Sequence, residues 1–210
     1  NNEMYYIQRC QKYRGRNKGY SIDFQSWYSC QKLKSGNLWI RLGIYLHGGA
    51  GYGLQPNSIF GHEMVSEIVE IGTDVHEDIQ IGGIAFVDPT MSTGMGAAGS
   101  VMAGAFCEYT VVKNAKVNEN IYPLDKDCDL DTMAIIEPFC VGTKEATMIE
   151  PRKDEKVVIL GAGTIGLCAA ASLIGRGLTQ VVVVDWDENR LNSARPIGTM
   201  VVNTTHEDLK

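Results

Sequence analysis

The thirty residues from Lys156 to Asp185, KVVILGAGTIGLCAAASLIGRGLTQVVVVD, constrain the fold of this chain more than any other stretch. Val157 to Leu160 reads as a buried strand. A turn follows, Gly161-Ala162-Gly163-Thr164-Ile165-Gly166, and then an apolar, alanine-rich segment with the length of a three-turn helix. A second run, Val181 to Val184, ends on Asp185. Strand, glycine turn, helix, strand and acid come in the order that a dinucleotide-binding βαβ unit requires. Gly161 allows the sharp turn out of the strand, and Gly163 lets backbone approach a pyrophosphate. Gly166 lets the helix lie close on the strand. The free N–H groups and the positive end of the helix dipole then face the phosphates, with Thr164 and Ile165 in the same turn. Asp185, 19 residues after Gly166, is spaced to accept hydrogen bonds from a ribose diol. A carboxylate there repels a 2′-phosphate, so NAD is expected over NADP. A lone GxGxxG is weak evidence against an ordinary glycine-rich turn; the flanking β-branched runs and the spaced acid make this one specific.

Composition narrows the classes. A chain of 210 residues implies one or two domains. Its 44% hydrophobic and 21% charged residues are those of a soluble globular protein. A net charge of −6 and a pI of about 5.2 argue against a nucleic-acid partner. No apolar run reaches the ~18 residues of a membrane span, and NNEMYYIQRC lacks the apolar heart of a signal peptide. The six cysteines form no CxxC, which reads as a reducing, cytoplasmic chain without a disulfide framework. Arg9, Lys12, Arg14, Arg16 and Lys18 alternate with tyrosines near the start. In a short stretch of an acidic chain, they read as a solvated arm rather than a nucleic-acid contact.

Three segments follow from the pattern: an unassigned arm at 1–36, a β-rich domain at 37–148 and a dinucleotide-binding domain at 149–210. In the β-rich part, Leu38–Leu42 reads as a strand, Ile59–Glu70 as a turn into a strand, Ile81–Asp88 and Ala105–Val112 as further strands, and Ile121–Leu124 as the start of the exit from the domain. Imperfect alternation predicts a bulge in the second of these. His47 to Gly53 is a glycine-rich loop, and residues 90–104, rich in Gly, Ala, Ser and Met, read as a further loop. Residues 131–148 have helical character, with Asp129 or Asp131 as N-cap and Pro138 as an interruption. Pro151 to Glu155 is a polar hinge. Glu188–Ala194 reads as a short helix and Met200–Asn203 as a third strand of the last domain.

Two features suggest metal chemistry. Gly61-His62-Glu63 sets an imidazole beside a carboxylate at a strand start, and both are metal-ligand types. Glu137 stands in IIEPFCVG, and an acid among apolar residues is costly to bury unless it is paired or ligates a metal. The bland readings are a satisfied His–Glu pair and a helix-end carboxylate facing water.

Together with the glycine turn, five motifs carry a family resemblance: GHEMVSEIVEIGTDV (61–75), VDP (87–89), GAFCEYTVV (104–112), IIEP (135–138) and VVILGAGTIG (157–166). The chain resembles the medium-chain dehydrogenase/reductase family, in particular its zinc-dependent polyol and secondary-alcohol branch, which includes sorbitol, threonine and butanediol dehydrogenases. The resemblance runs from residue 37 to 210. It implies an α/β chain: a GroES-like β domain followed by a Rossmann dinucleotide-binding domain. It implies a catalytic zinc near His62 and Glu63, with Glu137 directed to the same ion. It further implies NAD as hydride acceptor, a small-molecule alcohol or polyol as substrate, and a homodimer or homotetramer for a complete protein.

The departures from the family pattern are specific. Where relatives carry a cysteine ligand in a segment like GICGTDLH, this chain has the shorter Gly43-Ile44-Tyr45-Leu46-His47. A soft anionic ligand is therefore missing there, and His47 becomes a candidate proton-relay group by position. No cysteine lies between Val87 and Phe106, so no structural zinc is expected. Three strand-like runs follow residue 156, against six in a whole Rossmann sheet, so only the first half of that domain is expected and the chain reads as incomplete. Two other readings stay open: a zinc-free or inactive nucleotide-binding relative, and a nucleotide-sensing scaffold using the basic arm.

Overall fold

In the computed structural model, the described residues are 32–35, 61–72, 75, 78–89, 105, 112 and 115–207. The expected strand at 38–42, the loop at 47–53 with His47, the loop at 90–104, the basic arm and most of the 105–112 strand lie outside them. The chain forms two compact units, Asn1–Ile135 and Ile136–Lys210.

The first unit is built on an antiparallel sheet of β1 (Lys32–Ser35), β2 (Met64–Glu67), β3 (Ile84–Val87) and β4 (Ile121–Leu124), in the order β1-β2-β3-β4. Met64, Ile68, Ala85, Val87 and Ile121 form its core. Met64, Val65 and Ser66 are all buried, so both faces of β2 are covered. That is why the sequence does not alternate. The expected bulge is not in β2; the register shift lies opposite it, between Lys32 and Lys34 of β1. β2 and β3 are shorter than the sequence suggests because a turn closes their ends. Ile68 donates its N–H to the Gly83 carbonyl (2.8 Å) and accepts from the Gly82 N–H (2.6 Å), with Gly82 at φ 81°. Residues 32–35 of the nominal arm thus contribute a strand, β1.

A short helix, α1 (Leu130–Met133), is capped by the Asp129 side chain, which accepts from the N–H groups of Asp131 and Thr132. The helix α2 (Ile136–Thr147) opens the second unit. The sequence places this helix with the β domain and puts the boundary after residue 148; the packing divides at Ile135/Ile136 instead, because α2 lies directly against the next helix. Pro138 does not break the helix. It sits in the first turn, where a missing N–H costs nothing, and the break falls just before it.

The second unit holds a parallel sheet of β5 (Val157–Leu160), β6 (Val181–Asp185) and β7 (Met200–Asn203), in the order β5-β6-β7. α3 (Thr164–Gly175) crosses from β5 to β6. α4 (Glu188–Ala194) and a 3-10 turn, Arg195–Ile197, cross from β6 to β7. Its core includes Ala170, Leu173, Val181, Val183, Leu191 and Ala194. Two successive βα crossovers onto parallel neighbours make the first half of a Rossmann sheet. Along β5, Val157 is buried and Ile159 partly so, while Val158 (56%) and Leu160 (76%) are exposed on the other face. Among the described residues, no helix is long and apolar enough to cross a membrane.

Candidate functional site

The glycine turn has three distinct backbone reasons for its glycines. Gly161 has φ 105°, a conformation costly for any side chain. A Cβ on Gly163 would meet nothing within 4 Å, so that glycine leaves open space at the mouth of the turn. A Cβ on Gly166 would overlap the Gly161 carbonyl oxygen and press on Ile159 Cγ2 at 3.3 Å. Gly166 therefore seats the helix on the end of β5.

The N-terminus of α3 differs from those of α1 and α4. Asp129 and Asp187 cap the latter two through their side chains. α3 begins at Gly163 with no side-chain cap and no acid in its first turn. Its leading N–H groups are left for another acceptor, and its dipole favours an anion there. This arrangement fits a dinucleotide pyrophosphate.

Asp185 joins the turn from β6. Its Oδ2 accepts from the Ala162 N–H at 2.8 Å, and its Oδ1 accepts from the Trp186 (2.8 Å) and Asp187 (2.9 Å) N–H groups. Arg190 Nη1 lies 4.0 Å from Oδ2. Burial pushes the carboxyl upward, but the three N–H donors and the Arg190 charge outweigh it and hold the acid below its ordinary range. The structure thus brings Asp185 and the phosphate turn together in one connected group.

In the first unit, Gly61 takes φ 93° and its carbonyl accepts from the Ala105 N–H at 2.9 Å. This turn presents His62 and Glu63 just before β2. Glu63 is fully buried. Its Oε1 lies 3.2 Å from His62 Nε2, and its Oε2 accepts from the His62 backbone N–H at 3.5 Å. A half-exposed imidazole touching a buried carboxylate is a nitrogen–oxygen donor pair of the kind Zn²⁺ takes. The donor chemistry fits that ion.

Glu137 belongs to the second unit, half-buried in the first turn of α2, where the helix dipole favours a negative charge. Cys168 on α3 feels it: burial pushes that thiol up, and the Glu137 charge adds to the effect. His47 lies outside the described residues.

Two features were not read from the sequence. Arg190 pairs with Asp185, a contact signalled only by its place in the helix after the acid. Gly142, inside α2, marks a very close helix approach; the available signal was a glycine inside a helical pattern.

A family profile described as the TrkA-N domain matches residues 157–209. L-threonine 3-dehydrogenase of Streptomyces avermitilis is 33% identical over 184 residues, covering 77% of this chain and 51% of that protein. (R,R)-butanediol dehydrogenase of Saccharomyces cerevisiae is 34% identical over 103 residues, covering 49% of this chain and 26% of that one. The crystal structure of 2R,3R-butanediol dehydrogenase from Bacillus subtilis superposes with a TM-score of 0.69 at 21% identity, covering 98% of this chain and 64% of that one. The chain therefore spans about half the length of the threonine dehydrogenase it matches.

Proposed function

Since the chain belongs to the medium-chain dehydrogenase/reductase family, in its polyol and secondary-alcohol branch, we propose that the protein oxidises a secondary alcohol, polyol or similar hydroxyl compound with NAD. The observation that carries this reading is the βαβ unit itself. It combines an uncapped helix N-terminus, a glycine with open space beside it and an acid tied to the same turn. The relatives' names supply the substrate class.

Each residue has a proposed task. The N–H groups of Gly163 to Gly166 bind the pyrophosphate, and Asp185 holds the adenosine ribose through its remaining acceptor capacity. Its charge, and its pairing with Arg190, disfavour the 2′-phosphate of NADP. His62, Glu63 and Glu137 would hold the zinc. Zinc, when bound, supplies a Lewis acid at the reacting hydroxyl, and NAD supplies the hydride acceptor. The carboxylate of Glu63 keeps the His62 imidazole oriented. His47 is proposed as a relay for the departing proton, and a dimer or tetramer as the working assembly.

His62→Ala tests the assignment in the full-length protein. Turnover should fall about 100-fold or more and zinc affinity with it, while NADH binding stays within a few-fold. Full turnover would overturn the zinc assignment, and wild-type protein without zinc would instead identify a zinc-free nucleotide-binding relative, as the missing cysteine in Gly43–His47 would allow.

A further inference from the structure

Gly142 lies near the middle of α2 and is buried. A Cβ placed on it would stand 2.7 Å from the Ala169 nitrogen, 2.7 Å from the Ile165 oxygen and 2.8 Å from Cys168 Cβ. Two of these neighbours are backbone atoms of α3, and the third is fixed to the backbone, so none can rotate away. Alanine is a better helix former than glycine in a helix interior. What the glycine provides is the approach: at this point α2 runs directly against the α3 backbone.

The place of that contact matters. Ile165 belongs to the first turn of α3 and to the second half of the glycine turn. Five residues before Gly142, on the same helix, stands Glu137. Interiors are close-packed and transmit displacements rather than absorbing them. A methyl group at 142 would push α2 off α3 and carry Glu137 with it. The start of the glycine turn would be held in place by its bonds to β6: Gly161 N–H to the Val184 carbonyl at 2.7 Å and Ala162 N–H to Asp185.

We propose that Gly142 is a positioning residue, which sets the distance of Glu137 from the cofactor-binding end of α3. It deepens the dehydrogenase reading above and rests on it. Gly142 touches neither substrate nor cofactor. It acts by fixing the helix that carries one proposed zinc-directed acid against the helix that receives the pyrophosphate.

The test is Gly142→Ala in the full-length protein, with three readouts: NADH affinity by fluorescence titration, Zn²⁺ affinity by chelator competition, and steady-state oxidation of 2,3-butanediol, sorbitol and threonine. The expected signature is a split. The NADH dissociation constant stays within threefold, kcat falls about 10- to 100-fold as for misplaced catalytic groups, and Zn²⁺ affinity falls about tenfold. Unchanged kcat and Zn²⁺ affinity would overturn the proposal. So would loss of NADH binding in step with kcat, which marks general damage to the fold. Should Gly142→Ala fail to fold, Glu137→Asp decides, because it retracts the carboxylate by one methylene without touching the helix contact. It must show the same split, and wild-type behaviour would overturn the proposal. His62→Ala keeps the two readings apart: if that variant loses turnover while Gly142→Ala retains it, only the positioning role fails.

Discussion

Asp185 does two jobs with one carboxylate. It ties the β5–α3 turn to the β6–α4 turn through Ala162, Trp186 and Asp187, and it is the acid proposed to meet the ribose. A carboxylate accepts in about four directions, and three N–H groups use most of them. Replacing it therefore affects stability as well as cofactor choice. Its folded pKa lies below the ordinary value, so its contribution is fully present above about pH 3.9. It is lost as pH falls through the lower folded value. Asp185→Ala should cost about 2 kcal/mol at pH 7, the scale of charge-assisted hydrogen bonds. The gap in urea midpoint between variant and wild type should close as the series is taken below pH 3.9; a gap that holds to acid pH would rule out the ionised form as its source. The same variant removes the acid from the neighbourhood of a 2′-phosphate and leaves Arg190, now 4.0 Å from Oδ2 and 3.9 Å from Asp187 Oδ2, with one acidic partner fewer. The affinity ratio of NADP to NAD should rise about tenfold or more, read by titration with each dinucleotide.

Helix α2 shows at the scale of elements what the chain discloses and what it hides. Its C-terminal exit is strained: Glu150 takes φ 47° just after the helix, donating its N–H to the Thr147 carbonyl at 3.0 Å. Glycine adopts that conformation without penalty. Glu150→Gly should raise stability by about 0.5–1 kcal/mol, seen as a higher thermal midpoint; a lower one would mean that the exposed side chain anchors the exit. The helix itself, and the Asp129 cap of α1 before it, are legible because caps and apolar spacing are local properties. So are β5, β6 and β7, as β-branched runs between turns, and α3 behind its glycines. The βαβ unit therefore stood in the sequence almost residue for residue. The unit to which α2 belongs did not, since it depends on Gly142 meeting Ile165 and Ala169 across a gap of more than twenty residues. Nor did the full burial of Glu63, which depends on a sheet covered on both faces. The proposed roles of His62, Glu63 and Glu137 rest on the order of motifs, because an adjacent His–Glu pair and an acid more than seventy residues away share no local signature.

At the scale of the molecule, the described residues form two cores, one around Met64, Ile68 and Ile121 and one around Leu173, Val181 and Leu191. The proposed cofactor contacts lie in the second unit, and the His62–Glu63 pair lies in the first. A ligand stabilises what it binds by RT ln(1 + [L]/Kd), about 2.7 kcal/mol at a hundredfold excess over Kd. Hydrogen exchange reports such gains locally when units open separately. Saturating NADH should therefore slow exchange in β5, β6, β7 and the first turn of α3, by up to about 100-fold, and leave β2, β3 and β4 nearly unchanged. Removing metal with a chelator should act the other way. If all three proposed ligands hold it, exchange should quicken around His62, Glu63 and β2, and also around Glu137 in the first turn of α2. The α2 response is the decisive one. If chelation loosens β2 alone, Glu137 is an ordinary acid at a helix start, favoured there by the dipole, and the metal is held from the first unit only.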